Sequence, residues 1–338
     1  MEIKKIIKDD LSGGVSVVQK GEVLFQDAFG YADLPNKISN EKETKFPTAS
    51  AGKAFVAAGI MKLIESEKLS LDSLLGDLVK FDLKAIDPNI TVRQLLKHTS
   101  GIPDYFDESV MDEYEELWID YPNYKIRSSA DLIPLFIDKP MMYKPGEKFQ
   151  YNNTGYVVLG LIIEAITGKP FDEYLAEAIF QPLGMTSTGY YELDRLPATC
   201  ANAYIYDEAR GDYRTNIFSV DVKGTGAGGA FTTIPDVEKF WKGLISYQIL
   251  TEETVKDMMS PQVKEKCYGY GFWLDKKEDG FIVHFEGCDP GVSFYSAYDR
   301  EKDLMITLVS NFGDNVWKLY EKINDLFGTF PGDRPDDT

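Results

Sequence analysis

Ser50 and Lys53 stand three residues apart at the head of KFPTASAGKAFVAAGIMKLIESEKL, residues 45–69. On a helix, that spacing places both side chains on one face. A serine hydroxyl is a weak nucleophile until a base takes its proton. A lysine walled in by apolar side chains loses its charge readily enough to be that base. The N-terminus of a helix also favours negative charge developing on Ser50. The competing reading is a serine that caps the helix and a lysine that stays in water. The same S-x-x-K spacing recurs at Ser39 and Lys42, but in a polar loop where nothing would desolvate the amine.

Two further segments carry groups of suitable type. Tyr151-Asn152-Asn153 directly precedes an apolar stretch, whereas a second Y-x-N at Tyr121 and Asn123 falls in an acidic region. A phenol beside an amine can hold or relay a proton. An asparagine two residues on can bond either a substrate amide or that amine. Read alone, the pair is a turn tyrosine and a helix cap. In VHFEGCDPGVSF, residues 283–294, a strand runs out at Gly287 and Asp289-Pro290-Gly291 turns the chain. Gly287 would admit close approach of a ligand. Read alone, this is a hairpin.

Composition narrows the partners. A chain of 338 residues is too long for one small core and implies one large or two closely packed domains. With 43% hydrophobic and 27% charged residues it is an ordinary globular chain. A formal charge of −19 repels phosphate backbones and anionic lipid, so neither nucleic acid nor a membrane is expected as a partner. No stretch reaches the ~18 apolar residues of a membrane span. The opening MEIKKIIKDDLSGG lacks the long apolar core of a signal peptide, and a cytoplasmic setting is expected. Cys200, Cys267 and Cys288 are odd in number and scattered, which fits neither a disulfide framework nor a metal knuckle. Only His98 and His284 are present, which argues against Ser-His-Asp chemistry and a histidine-rich zinc site. No cofactor or metal is expected.

The elements that must position these residues are legible in outline. GVSVVQKGEVLFQDAFG reads as a hairpin turning at Lys20-Gly21. The stretch after Ser50 is apolar nearly all round and reads as a buried helix. TGYVVLGLIIEAITGK is a second such helix, with Gly168 as its C-terminal cap. FDEYLAEAIFQPLG and IPDVEKFWKGLIS read as further helices. Residues 107–120, acidic and aromatic, read as a surface insertion or lid. YGYGFWLD, GFIVHFEG, GVSFYSAYD and DLMITLVSN read as strands, followed by a helix in NVWKLYEKINDLF and a frayed PGDRPDDT. Strands at both ends and helices between them predict an α+β fold. In it, residues 1–75 and 222–338 form an antiparallel sheet flanked by helices, and 76–221 an inserted, mainly helical region. The active site is expected between the two.

Taken in order, these segments resemble the serine beta-lactamase and penicillin-binding-protein superfamily. The likeness is to the branch holding class C beta-lactamases, D-amino-acid peptidases and family VIII-type esterases. It is carried by GYADLPNKISNEKETKFPTASAGKAF, LLKHTSGIPDY, YKPGEKFQYNNTGYVVLGLIIEAITGKPFDEYLAEAIFQPLGMTST and GAGGAFTTIPDVEKF, and extends from about Gly14 to Asn311. The resemblance implies that Ser50 is the nucleophile, Lys53 its base, Tyr151 the second-motif tyrosine and Asn153 a substrate-orienting asparagine. It also implies a structural role for His98.

The third motif departs from the family pattern. Where Lys-Thr-Gly or His-x-Gly is usual, counting back from Pro290-Gly291 gives Phe285-Glu286-Gly287. His284 is one residue early, and neighbouring strand residues face opposite ways. Phe285 is therefore expected at the cleft where a carboxylate-binding cation would stand, with His284 turned away. That weakens beta-lactams and peptide C-termini as substrates and favours neutral esters or amides. Backbone N–H groups of Ser50 and Cys288, the residue after Gly287, are expected to hold the oxyanion. The expected activity is a serine hydrolase acting through an acyl-enzyme on a small-molecule or short-peptide acyl substrate. A beta-lactamase or D-amino-acid peptidase, and a non-catalytic binding protein on the same fold, are the alternatives.

Overall fold

Strands from opposite ends of the chain meet in one antiparallel sheet. The computed structural model describes residues 2–7, 11–263, 266–278 and 280–328, so the frayed end expected at 331–338 lies outside the described residues. The strands are β1 (Gly13–Gln19), β2 (Glu22–Phe29), β3 (Trp273–Lys277), β4 (Gly280–Asp289), β5 (Val292–Asp299) and β6 (Leu304–Ser310). Their order is β2-β1-β6-β5-β4-β3. The two chain ends are joined by the β1–β6 pairing, which sets Gly13 opposite Ser310 and Gln19 opposite Leu304.

Five helices matter for the site: α1 (Glu2–Ile7), α2 (Lys53–Glu65), α3 (Asn153–Thr167), α4 (Ile234–Ile245) and α5 (Val316–Asp325). Ile3, Leu319 and Ile323 of α1 and α5 cover one face of the sheet, packing on Val15, Val17 and Leu308. Phe55 of α2 and Phe240 of α4 cover the other, with Phe285, Phe294 and Val309. The central strands are buried on both faces, so every residue of β5 and β6 is buried, and polar side chains among them such as Ser296 are hydrogen-bonded to Trp241 and Thr307. Every residue of α2 from Lys53 to Met61 is buried. Behind it, α3 begins where the Asn152 side chain accepts from Gly155 N at 2.7 Å. It ends on Gly168 at φ 70°, the left-handed cap that glycine adopts without penalty. Among the described residues, no helix is long and apolar enough to cross a membrane.

Three local expectations change. The helix after Ser50 does not start there: Ala49–Gly52 form a 3-10 turn, and α2 begins at Lys53. Ser50 therefore caps nothing. Residues 204–215, within the region expected to be mainly helical, form a hairpin. Phe285 does not reach the cleft. It faces the same side of β4 as Gly287, but α2 and α4 close over that side. Its ring lies 5.3 to 6.2 Å from those of Trp241, Phe294, Phe240, Phe272 and Phe55. It is a core residue at 1% exposure.

Truncating a side chain so enclosed leaves a cavity that five rings cannot fill. Phe285→Ala is expected to cost about 3–5 kcal/mol in urea unfolding. A cost below about 1 kcal/mol, as at an exposed wall, would contradict this placement.

Candidate active site

The nucleophile turn is clamped before any catalytic group is considered. Ala49 adopts φ 47°, a left-handed conformation that costs a residue with a Cβ about 1–2 kcal/mol. Backbone contacts hold it there. Gly229 N donates to Ala49 O at 3.0 Å, and Thr48 N donates to Ala230 O at 2.8 Å. On the opposite side β4 presses in at Gly287, where a Cβ would lie 2.5 Å from Ser50 N. A Cβ on Gly228 would collide with the Ala49 carbonyl. The two glycines let separate backbones touch the turn, and the strain is paid for by that enclosure.

Lys53 is the first residue of α2, and its amine is at the centre of the site. Nζ donates to Ser50 Oγ at 2.8 Å, to Asn153 Oδ1 at 2.8 Å and to the Ala227 carbonyl at 2.6 Å. Those three bonds use all the donors an ammonium has. Burial disfavours the charge and pulls the amine down to about 8. Glu108, Asp289, Asp104 and Asp221 oppose the shift. At pH 7 about one amine in ten is then neutral.

Tyr151 completes a triangle over the nucleophile. Its hydroxyl is hydrogen-bonded with Ser50, and burial pushes the phenol well above its ordinary value, so it stays protonated. The Lys53 amine lies 4.9 Å from the centre of the Tyr151 ring. That ring rests on His98 at 4.5 Å and stacks on Trp273 at 6.0 Å. His98 Nδ1 accepts from Asn152 N at 3.1 Å, and Nε2 meets Tyr268 Oη at 3.1 Å. Burial holds this imidazole neutral. It is a spacer that fixes the 151–153 segment.

Asn153 shows which of its two expected partners it takes. Its Oδ1 receives Lys53, while Nδ2 donates to Phe106 O at 3.3 Å and Glu108 Oε1 at 3.1 Å. The amide oxygen thus holds the lysine, one of the two partners expected of it. Asp104, not singled out in the sequence, anchors the segment from below. Its carboxylate accepts from Asn153 N at 2.8 Å and Thr154 N at 2.9 Å, at the open end of α3. Burial lifts its carboxyl to about 6, against those hydrogen bonds. The mark it leaves in the sequence is its place in SGIPDY, a loop noted for its resemblance but not for this residue.

Ser50, Tyr151 and Asn153 open onto a cleft of about 1790 Å³, which Gly287, Cys288 and Asp289 also line. The insertion expected as a lid does form a wall, through Met111 to Glu115, and Trp273 at the start of β3 contributes as well. Pairing between β3 and β4 ends at His284 opposite Trp273, so Cys288 sits on a free stretch of strand edge beside Ser50. Its side chain is exposed. His284 lies on the face opposite Gly287, with Nε2 3.1 Å from Asp275 Oδ1 and its ring stacked on Tyr295 at 4.9 Å. It too is among the residues lining the cleft, beside Glu286, which Trp317 also contacts. Among the described residues, no cluster has the ligands to hold a metal.

A side-chain ¹⁵N NMR titration is expected to show one amine at about 8 that is lost in Lys53→Met. If Lys53 instead titrated at its ordinary 10.5, the burial argument would fail.

Known proteins share this fold. The family model described as Beta-lactamase matches residues 4–320. Penicillin-binding protein 4* of Bacillus subtilis (strain 168) is 28% identical over 306 residues, covering 85% of this chain. The chain spans 65% of that relative's length. The crystal structure of a penicillin binding protein from Bacillus halodurans matches with a TM-score of 0.92 at 37% identity, covering 96% of this chain and all of that one. D-amino acid amidase from Ochrobactrum anthropi SV3, complexed with D-phenylalanine, shares the fold at a TM-score of 0.80 and 24% identity, over 96% and 98% of the two chains. The Ser50–Lys53 turn, the sheet joined from both chain ends and a family match spanning nearly the whole sequence lead to one assignment: this chain belongs to the beta-lactamase family.

Proposed function

We propose that the protein is a serine hydrolase that forms an acyl-enzyme on Ser50 with a small ester or amide, and that its preference is esterase-like. The observation that carries this reading is the buried Lys53 amine, held at about 8 and hydrogen-bonded to Ser50 Oγ at 2.8 Å. Such an amine can accept the hydroxyl proton near neutral pH.

In the proposed reaction, Ser50 Oγ bonds to the acyl carbonyl carbon as its proton passes to neutral Lys53. The carbonyl oxygen becomes an oxyanion between the Ser50 and Cys288 N–H groups. As the tetrahedral intermediate collapses, Tyr151 gives its proton to the departing oxygen or nitrogen and regains one from Lys53. A water molecule then attacks the ester carbonyl of the acyl-enzyme. The Lys53–Tyr151 pair takes the water's proton and returns one to Ser50 Oγ. Asn153 keeps Lys53 in line throughout. No metal or cofactor takes part in this scheme.

The enclosed Phe285 supports an ester or neutral amide over a beta-lactam, since no cation stands at its position to bind a carboxylate. The penicillin-binding relatives favour a second reading, a beta-lactam or D-amino-acid peptide substrate.

Turnover of p-nitrophenyl butyrate that disappears in Ser50→Ala, with little nitrocefin cleavage, is the expected result. Fast nitrocefin cleavage would select the second reading. Absence of Ser50-dependent turnover of either, together with no acyl adduct by mass spectrometry, would leave a binding protein. Ester kcat/KM is also expected to climb with pH and level off above about 8, because the neutral amine is the working form while the tyrosine remains protonated. A profile flat through neutrality would remove Lys53 as the base.

A further inference from the structure

The charge lining the cleft has the opposite sign from a carboxylate-binding site. Carboxylates outnumber basic side chains among the described lining residues. Three of them, Glu108, Asp289 and Asp221, lie close enough to act on Lys53, and Glu108 is already engaged by the Asn153 amide. Asp289 lies two residues beyond Gly287 on β4, so it shares the face that presses on the Ser50 turn. Asp221 lies just ahead of the Gly-rich loop whose Ala227 carbonyl holds Lys53. Its Oδ1 accepts from Tyr114 Oη, on the acidic wall, at 2.9 Å.

Neither carboxylate has an ion-pair partner among the described residues, and both feel the field of Lys53. That amine cannot turn toward them, because its donors are committed to Ser50, Asn153 and Ala227. Burial lifts both carboxyls to about 7, and for Asp289 the field of Asp221 adds to it. Two carboxylates held near each other without an ion-pair partner are a place where an arriving cation is attracted by both. Arg214, a basic residue of the lining, is already engaged with Glu115 and Ser219.

We propose that the cleft selects acyl substrates bearing a cationic nitrogen, which sits against Asp289 and Asp221 while the acyl carbon meets Ser50. The inference rests on the hydrolase reading and adds a substrate class to it. An acid-lined cleft in a strongly negative chain also concentrates cations before binding. The same field repels the carboxylate that a phenylalanine in the core leaves without a partner.

The test compares isosteric esters that differ in charge alone. The p-nitrophenyl ester of 4-(trimethylammonio)butanoic acid is set beside that of 5,5-dimethylhexanoic acid, in which carbon replaces nitrogen, at pH 8 and low salt. The cationic ester is expected to have a kcat/KM at least about tenfold higher, a part of the Coulomb attraction between unlike charges about 5 Å apart at a protein-like dielectric. The ratio should fall toward one in the Asp221→Asn/Asp289→Asn double variant, with the neutral ester as internal control for folding. A ratio of one in the wild type, or a ratio the double variant leaves unchanged, would overturn the proposal. If no ester shows Ser50-dependent turnover, the hydrolase reading has failed on its own. Calorimetric binding of choline against 3,3-dimethylbutan-1-ol then decides the charge question separately. Tighter binding of choline that the double variant abolishes would sustain it, and equal or absent binding would refute it.

Discussion

Burying one ammonium group is the constraint on which this structure depends. A charged amine leaves water only if acceptors replace its hydration, and the cost of failing is several kcal/mol. Lys53 finds acceptors on three segments far apart in sequence: the nucleophile turn, the start of α3 and the Gly-rich loop. Each is fixed by something else. Asp104 and His98 hold the α3 segment. The loop carrying Ala227 touches α3 so closely that a Cβ on Gly226 would strike the Tyr156 carbonyl, and Gly226 N bonds Ser129 Oγ at 3.2 Å. Sheet, helical region and loop must therefore arrive together for the amine to be satisfied.

That same enclosure sets the chemistry. Were Lys53 exposed, its amine would stay charged at neutral pH and could not accept a proton. Were it buried without its three acceptors, the cost would fall on folding. The compromise, about 8, lies between those limits. The strained Ala49 fits the same pattern. Its left-handed backbone turns Ser50 toward the cleft, and β4 and the Gly-rich loop enclose the turn from both sides. A site assembled this way spends packing and hydrogen bonding on holding groups in conformations they would not choose alone.

β4 divides two kinds of work between its faces. Phe285 and Gly287 point the same way, yet α2 and α4 cover the first while the second lies against Ser50. One strand step separates a core side chain from the reacting centre. A bulky apolar residue there belongs to the aromatic cluster and gives the cleft no cation. The remaining charge near Ser50 comes from Lys53 and from carboxylates, which turns the electrostatic question from how an anion is held to which cation is invited.

What the sequence determined by itself is what local pattern and motif spacing can encode. The terminal hairpin, the α3 cap at Gly168, the late strands and the Ser50–Lys53 and Tyr151–Asn153 pairings all depend on residues close along the chain or on a motif order matched as a whole. The α+β class followed from the order of those pieces, and His284 and Phe285 facing opposite ways followed from strand periodicity alone. Only the tertiary structure decided which side of a strand is core and which is cleft. Phe285 was legible as facing Gly287's side, but not as covered, because the covering helices come from residues 53–65 and 234–245. The turn before α2, the choice of lysine by the Asn153 oxygen, and the placing of Asp104, Asp221 and Asp289 around one amine were hidden for the same reason. Each depends on backbone approaches between segments some 50 to 240 residues apart, and no local pattern records a long-range approach.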